Sequence, residues 1–195
     1  MKFKFPKPPL PHFLKNSLLI LILLLSFTAP LYSTDDNNYI LQTFTSNISE
    51  TFKNYSYYNL YIPFYMWHNR LMYDSYKTDR YNEIPLGLGF AVSRETICNI
   101  EHSLFSVAFS DSNHKLQITT GYTWQKKWYN SSQNWWLSAG YTAHFIQRYE
   151  YLYIPIPMAL PVGGIGYKSF AIEAAYFPGP YNDGNVLFTW ARFRR

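Results

Sequence analysis

A regular alternation of large apolar residues with small or polar residues constrains this chain more than any other feature. Between residues 136 and 146, Ser138, Gly140, Thr142 and His144 alternate with Leu137, Ala139, Tyr141, Ala143 and Phe145. Similar patterns occupy residues 87–93, 103–109, 116–124 and 186–193. A period of two predicts β-strands with two unlike faces.

Composition indicates what surrounds these strands. Aromatic residues make up 21% of the chain and charged residues 15%, and the second face carries Gly, Ser and Thr rather than Lys and Glu. A soluble sandwich would place charges on that outer face. A mean hydropathy of −0.22 excludes a bundle of transmembrane helices. The pattern is typical of a narrow membrane barrel, in which small residues fill the lumen and large ones contact lipid.

We therefore predict an all-β fold, an eight-stranded antiparallel transmembrane β-barrel, closed so that no strand edge is unpaired in lipid. Large residues such as Phe105, Val107 and Phe109 are expected to face lipid, and the lumen to be built of small residues. Tyr122, Trp124, Trp135 and Trp190 are expected in aromatic girdles near the strand ends. A soluble lipocalin-like barrel is the alternative.

Residues 1–33 have the organisation of a signal peptide. Lysines precede an apolar core over residues 17–27, and a short segment then ends at Ser33. The core of about 11 residues is too short to span a bilayer comfortably. We predict cleavage near Ser33, or alternatively at Ala29, which leaves residues 34–195 as one exported barrel domain. A short membrane anchor is the other interpretation.

Residues from about 40 to 53 follow a different period. Apolar residues recur three and four positions apart, at Ile40, Leu41, Phe44, Ile48 and Phe52. This spacing predicts an amphipathic helix before the barrel. Such a helix lies at a membrane surface or packs on the domain.

The basic character of the chain does not indicate a nucleic-acid partner. Of the formal net charge of +5, four units come from lysines within residues 1–33, which contain no acidic residue, so residues 34–195 retain only +1. The single cysteine, Cys98, excludes an intramolecular disulfide. The sequence contains neither a cysteine pair nor an HExxH motif, so it does not indicate a metal site.

Few residues are suited to chemistry. His68 precedes a charged segment, and Asp111 and Ser112 follow the apolar segment that ends at Phe109. A His, an Asp and a Ser are the parts of a hydrolase-like set, in which the imidazole activates a hydroxyl. The chain has no GxSxG elbow. Their spacing alone favours another interpretation over a catalytic set, in which His68 is a solvated loop histidine and Asp111 and Ser112 belong to a hairpin turn.

Longer blocks of sequence closely resemble the lipid A palmitoyltransferase family. These blocks are residues 61–68 (YIPFYMWH), 77–83 (KTDRYNE), 87–90 (GLGF), 109–112 (FSDS), 153–157 (YIPIP) and 176–186 (YFPGPYNDGNV). They are ordered and correctly spaced over nearly the whole chain after the signal segment. The resemblance implies an eight-stranded outer-membrane barrel preceded by an amphipathic helix. It also implies transfer of palmitate from the sn-1 position of a phospholipid to a hydroxyacyl chain of lipid A, without metal or soluble cofactor.

The family's catalytic residues correspond to His68, Asp111 and Ser112 of this sequence. We expect His68 to act as general base on the lipid A hydroxyl and Asp111 to orient His68 or stabilise its imidazolium. Ser112 is expected to be a nucleophile or to polarise the ester carbonyl. The implied partners are a phospholipid donor and a lipid A acceptor in the outer membrane, and we expect a monomer.

The resemblance also implies residues that contact the lipids. Two lateral openings in the barrel wall correspond to Pro63 and Pro85, and to Pro155 and Tyr176. Proline breaks a strand ladder because it has no N–H to donate. In the family a glycine at the lumen floor measures acyl length, and Thr123 takes that place here. We predict a donor shorter than palmitate, unless the Thr123 side chain turns aside.

Two other functions remain open at this point. One is a non-catalytic small outer-membrane barrel, against which the His68, Asp111 and Ser112 set argues. The other is a phospholipase that uses the same residues with water as acceptor, and the identity of the acceptor separates it from a transferase.

Overall fold

The computed structural model describes residues 35–195, with side chains from Tyr39 onward. The predicted signal peptide over residues 1–33 lies outside the described residues. Leu41–Arg195 form one compact unit. Within the described residues, no helix has the length and apolar character needed to cross a membrane.

Eight strands close into an antiparallel barrel in which each strand pairs with its sequence neighbours and β8 pairs with β1. The elements in order are helix α1 (Asp35–Lys53), β1 (Tyr57–His68), helix α2 (Ser75–Thr78), β2 (Gly87–Glu95), β3 (Ile100–Ser110), β4 (Leu116–Tyr129), β5 (Trp135–Arg148), a 3₁₀ turn (Tyr149–Tyr151), β6 (Ile156–Tyr167), β7 (Phe170–Phe177) and β8 (Val186–Arg194). The predicted fold is confirmed. The helix begins at Asp35 rather than near residue 40 and ends at Lys53.

The two ends of the barrel differ. Short turns at residues 96–99, 130–134 and 168–169 join strands at one end. Longer loops at residues 69–86, 111–115, 149–155 and 178–185 join them at the other. Outer-membrane barrels place short turns toward the periplasm and longer loops outside. We therefore call the long-loop end the outer end.

The exterior carries exposed large apolar side chains on seven of the eight strands, all except β3. Exposed examples on the strands are Tyr58, Ile62, Phe64, Leu88, Phe90, Leu116, Trp128, Trp135, Leu137, Tyr141, Ile165, Ile172 and Phe193. A water-soluble barrel would turn such residues inward, since each buried side chain of this size gains about 1.5–3 kcal/mol. The apolar exterior therefore fits a lipid environment.

The C-terminal part of α1 packs against the outside of β2 and β4. The Phe44 ring meets the edge of the Tyr122 ring at 5.1 Å. Arg94 of β2 donates from Nη2 to Asn47 Oδ1 at 2.8 Å and from Nε to Thr51 Oγ1 at 3.2 Å. Tyr122 is only 1% exposed, so its predicted place in an aromatic girdle is wrong.

The apolar face of β3 points into the barrel, contrary to the prediction that it contacts lipid. Phe105, Val107 and Phe109 are buried together with Tyr61. Trp190, expected in a girdle, also packs against this cluster. A period-two pattern defines two faces but does not say which one is inside when both are buried, as they are along most of β3.

Charged residues close the periplasmic end of the lumen, which was expected to hold small residues. Glu101 makes ion pairs with Lys127, Arg192 and Arg194. Arg192 Nη1 also lies 3.2 Å from Glu173 Oε1. Buried charges of both signs satisfy one another here, as they must when they are removed from water.

Candidate active site

His68, the last residue of β1, lies at the outer end of the lumen and is 2% exposed. Its Nε2 atom is 3.0 Å from Ser112 Oγ, and its Nδ1 atom is 3.1 Å from Glu83 Oε1. The imidazole centroid lies 4.6 Å from that of the Tyr81 ring, with the two planes tilted by 33°, and 5.4 Å from that of the Tyr73 ring in a T-shaped contact. Hydroxyl, imidazole and carboxylate thus form one continuous chain of contacts.

Glu83 is the carboxylate of this set. Its Oε2 accepts from Arg70 Nη2 at 2.8 Å, and its Oε1 also accepts the backbone N–H of His68 at 3.2 Å. Partial burial raises the pKa of Glu83, but the Arg70 guanidinium and the His68 hydrogen bonds outweigh burial and hold the pKa below its ordinary value. An ionised carboxylate only accepts, so His68 Nδ1 carries the hydrogen and Nε2 accepts from the Ser112 hydroxyl.

Asp111 occupies a different position from the one expected of an orienting carboxylate. It is 2% exposed, and its Oδ1 accepts the backbone N–H groups of Asn113 and Lys115, each at 2.8 Å. Its Oδ2 lies 3.5 Å from Arg148 Nη2. The carboxylate that contacts His68 Nδ1 is Glu83 and not Asp111, and a catalytic role of Asp111 stays a prediction. Asp111 instead builds the turn that presents Ser112.

The loop of residues 69–86 is tied to its neighbours, which fixes the site. The backbone N–H of Asn82 donates to Ser112 O at 2.9 Å, and that of Met66 donates to Glu83 O at 2.9 Å. Tyr73 Oη donates to Gly184 O at 2.5 Å. These bonds hold Ser112 and Glu83 on either side of the imidazole.

Two neighbouring cavities lie below and around His68. The outer one, of about 340 Å³, is lined by His68, Asp111, Ser112 and Arg148. The inner one, of about 50 Å³, is lined by Thr123 and by mostly apolar side chains. Three rings line both cavities, those of Phe109, Phe177 and Phe188. The predicted lumen position of Thr123 agrees with this geometry.

The ladder between β1 and β2 stops short of the outer end, and we call this break in the ladder the first gap. Their ladder ends at the pair Tyr61 and Gly89, and β1 continues to His68 beside the loop that precedes β2. Pro63 and Pro85 lie beyond the end of the ladder, where the sequence predicts an opening. Both prolines are buried, and Pro63 also lines the inner cavity.

The second gap lies between β6 and β7. Their ladder ends at Val162 and Ala175, so Tyr176 borders the gap as the sequence predicts. Pro155 precedes β6, whereas Pro161 is the first residue of β6 beyond the ladder and is exposed. The proline at the end of the ladder is therefore Pro161.

The arrangement is that of an acyl-transfer site. A hydroxyl that donates to an imidazole, which in turn donates to an ionised carboxylate, has the geometry for nucleophilic attack on an ester. Among residues 35–195, no group of three or more His, Cys, Asp or Glu side chains is arranged to hold a metal ion. Fold and site together define the class of protein, a membrane β-barrel enzyme with an acyl-transfer site.

Comparison with known proteins gives the family. The profile of the family described as antimicrobial peptide resistance and lipid A acylation protein PagP matches residues 47–192, and the chain belongs to this family. It is 42% identical to the lipid A acyltransferase PagP of Salmonella typhi, over 92% of this chain and 95% of that protein. It is 40% identical to the protein of the same name from Citrobacter rodentium, over 92% and 94% of the two chains. The resemblance stated from the sequence blocks is confirmed.

Sequence reasoning missed two residues of this region. Glu83 ends the block KTDRYNE but stands fifteen residues after His68, and only the fold of the loop brings it to Nδ1. Pro161 closes the proline-rich segment that begins at Tyr153, and only the register of β6 against β7 distinguishes it from Pro155.

Proposed function

We propose that this chain transfers an acyl chain, palmitate or a somewhat shorter one, from the sn-1 position of a phospholipid to a hydroxyacyl chain of lipid A. The observation that carries the proposal is the 3.0 Å hydrogen bond between Ser112 Oγ and His68 Nε2 at the mouth of the lumen. The relatives named lipid A acyltransferase support lipid A as the acceptor.

In the first half-reaction, Ser112 Oγ attacks the carbonyl carbon of the sn-1 ester while His68 Nε2 takes the hydroxyl proton. The bond between the carbonyl carbon and the glycerol oxygen breaks. His68 passes the proton to that oxygen, and the lysophospholipid leaves. Glu83 stabilises the imidazolium between these steps because its charge lies against Nδ1.

In the second half-reaction, the lipid A hydroxyl attacks the acyl-Ser112 carbonyl carbon while His68 takes its proton. The acyl–Ser112 bond breaks, and Ser112 Oγ regains the proton from His68. Direct transfer is the alternative order, in which Ser112 only polarises the ester carbonyl and His68 deprotonates the lipid A hydroxyl. Asp111 serves both orders by holding the turn of Ser112 and by pairing with Arg148.

The two gaps in the wall give each lipid its own entrance. Phospholipid enters by one opening and lipid A approaches at the other, with Pro63 and Pro85 at the first gap and Pro155, Pro161 and Tyr176 at the second. Both gaps are in the outer half of the barrel, beside the site. Thr123 faces the small inner cavity of the lumen, and a donor shorter than palmitate is therefore proposed.

The family and the barrel fold indicate the outer membrane. We propose in addition that residues 1–33 are a signal peptide that is removed on export, and that the enzyme is a monomer. No metal or soluble cofactor is required by the steps above, in keeping with the resemblance.

Mass spectrometry of lipid A from cells that express the wild type or His68→Ala tests the proposal. We expect one added acyl chain with the wild type and none with the variant. Identical lipid A from both would contradict the proposed function. Free fatty acid and lysophospholipid without acylated lipid A would identify a phospholipase instead.

A further inference from the structure

The inner cavity carries a histidine that the reaction does not use. His144 of β5 is 5% exposed and lines the inner cavity with Thr123 and Thr142. Thr123 pairs with Thr142 across β4 and β5, while His144 pairs with Gly121. His144 therefore lies two residues along the strand nearer the outer end than the level of Thr123. For tilted strands this is a difference of about 5 Å along the barrel axis.

The imidazole of His144 stands across the lumen. Its ring centroid lies 6.2 Å from that of Phe105 on β3 and 6.4 Å from that of Phe177 on β7. Strands β3 and β7 are four positions apart in an eight-stranded barrel, so they form opposite sides of the wall. A side chain from β5 that approaches both occupies the space an acyl chain would need to descend further.

The wall at and below His144 also contains buried polar atoms that have no hydrogen-bond partner among the described residues. The Thr142 hydroxyl donates to Tyr122 O at 3.2 Å, so it accepts from His144 Nδ1 at 3.3 Å, and His144 Nε2 keeps an unpaired acceptor. Gln125 Oε1, deeper in the same cavity, is a second buried acceptor with no partner within the described residues. An alkyl chain that covers these atoms would prevent water from satisfying them, which disfavours an acyl chain at this depth.

We infer that His144, rather than Thr123, sets the length of the acyl chain that the lumen accepts. The inference rests on the proposed acyl transfer and makes His144 the determinant of donor specificity. An acyl chain enters past Phe109, Phe177 and Phe188 and ends at the imidazole. The volume of only about 50 Å³ in the inner cavity, against about 340 Å³ in the outer one, agrees with this limit.

Donors of graded length test the inference. The full-length protein is purified in detergent and supplied with lipid A and with phospholipids that carry lauroyl, myristoyl, palmitoyl or stearoyl chains at sn-1. We expect the wild type to prefer a chain shorter than palmitoyl. In His144→Ala, the ratio of palmitoyl to lauroyl transfer should rise about tenfold or more, because a few methylenes in an apolar pocket discriminate by at least that factor.

Three further variants separate bulk from other effects. His144→Leu keeps the obstruction and should keep the preference for short donors. Thr123→Gly should change the preferred donor length less than His144→Ala, since it removes bulk below His144, where the acyl chain does not reach. Leu137→Ala, on the lipid-facing side of β5, is the control and should leave the donor profile unchanged. Circular dichroism establishes that each variant is folded.

Different experimental results would overturn the role of His144 and the proposed acyltransferase function. A wild type that prefers palmitoyl, with a profile that His144→Ala does not move, would overturn the role of His144 while the acyltransferase function stands. A wild type that selects a hydroxylated donor over a plain chain of equal length would also overturn it, because Nε2 would then bind a hydroxyl. Absence of transfer from every donor would contradict the proposed function itself.

Discussion

His68 Nδ1 lies 3.1 Å from Glu83 Oε1, and the opposite oxygen of Glu83 lies 2.8 Å from Arg70 Nη2. The ionised carboxylate settles which nitrogen of His68 holds the hydrogen, and so leaves Nε2 free to accept the Ser112 proton. The contact with His68 thus belongs to a loop residue, and Asp111, which the family resemblance places in the catalytic set, supports the adjacent turn.

Glu83→Gln should lower acyl transfer by about ten- to a hundredfold, because the imidazolium formed during proton transfer loses its counter-charge. The neutral amide also favours the uncharged imidazole, so the acid limb of the pH–rate profile should move to lower pH. Rates measured between pH 4 and about pH 9, across the ordinary pKa of histidine, reveal both effects.

Glu50→Gln on the exposed side of α1 is the control for that experiment and should retain the wild-type profile. A Glu83→Gln enzyme with normal rate and an unmoved acid limb would show that Glu83 only closes the loop.

Ser112→Ala should abolish formation of an acyl-enzyme and reduce transfer by at least about a hundredfold, as loss of a nucleophile or of a polarising hydroxyl does. The distinguishing measurement is a single turnover of the wild type with a radiolabelled sn-1 acyl chain and no lipid A. A labelled protein supports the nucleophile; lysophospholipid release that waits for lipid A supports direct transfer.

Asp111→Ala should destabilise the turn of Ser112 by about 2 kcal/mol, because two backbone N–H groups lose a charged acceptor. Asp111→Asn keeps Oδ1 as an acceptor and should retain more stability and more activity than Asp111→Ala. Thermal unfolding and transfer rates of the two variants, compared side by side, test this order. Equal loss of activity in both, with unchanged stability, would indicate a direct role for the charge.

Arg192→Met should lower the free energy of unfolding by about 3–5 kcal/mol, since Glu101 and Glu173 lose a buried counter-charge. Urea titration of the protein reconstituted in lipid vesicles measures the change. Lys126→Met, on the exposed side of β4, should alter stability by about 0.5 kcal/mol or less. Equal stability of the two variants would argue that the buried ion pairs of Arg192 do not stabilise the barrel.

Several features of the site could be predicted from the amino-acid sequence. His68 and Ser112 are brought into contact as the family blocks implied, and Pro63 and Pro85 border a break in the wall. Glu83 and His144 did not follow, because neither belongs to a motif whose spacing indicates what it contacts. A loop of eighteen residues (69–86) admits many paths, and only its hydrogen bonds to Ser112 and Met66 select the one that places Glu83 at the imidazole.

The amino-acid pattern predicts a β-barrel with an apolar exterior, because side chains of a β-strand alternate between two faces and the composition favours lipid beside the apolar face. Closure of the barrel decided the rest. It turned Phe105, Val107 and Phe109 inward, and it gathered Glu101, Lys127, Glu173 and Arg192 from four strands at the periplasmic end of the lumen. Contacts between side chains far apart in the sequence depend on register and closure, which no local pattern contains.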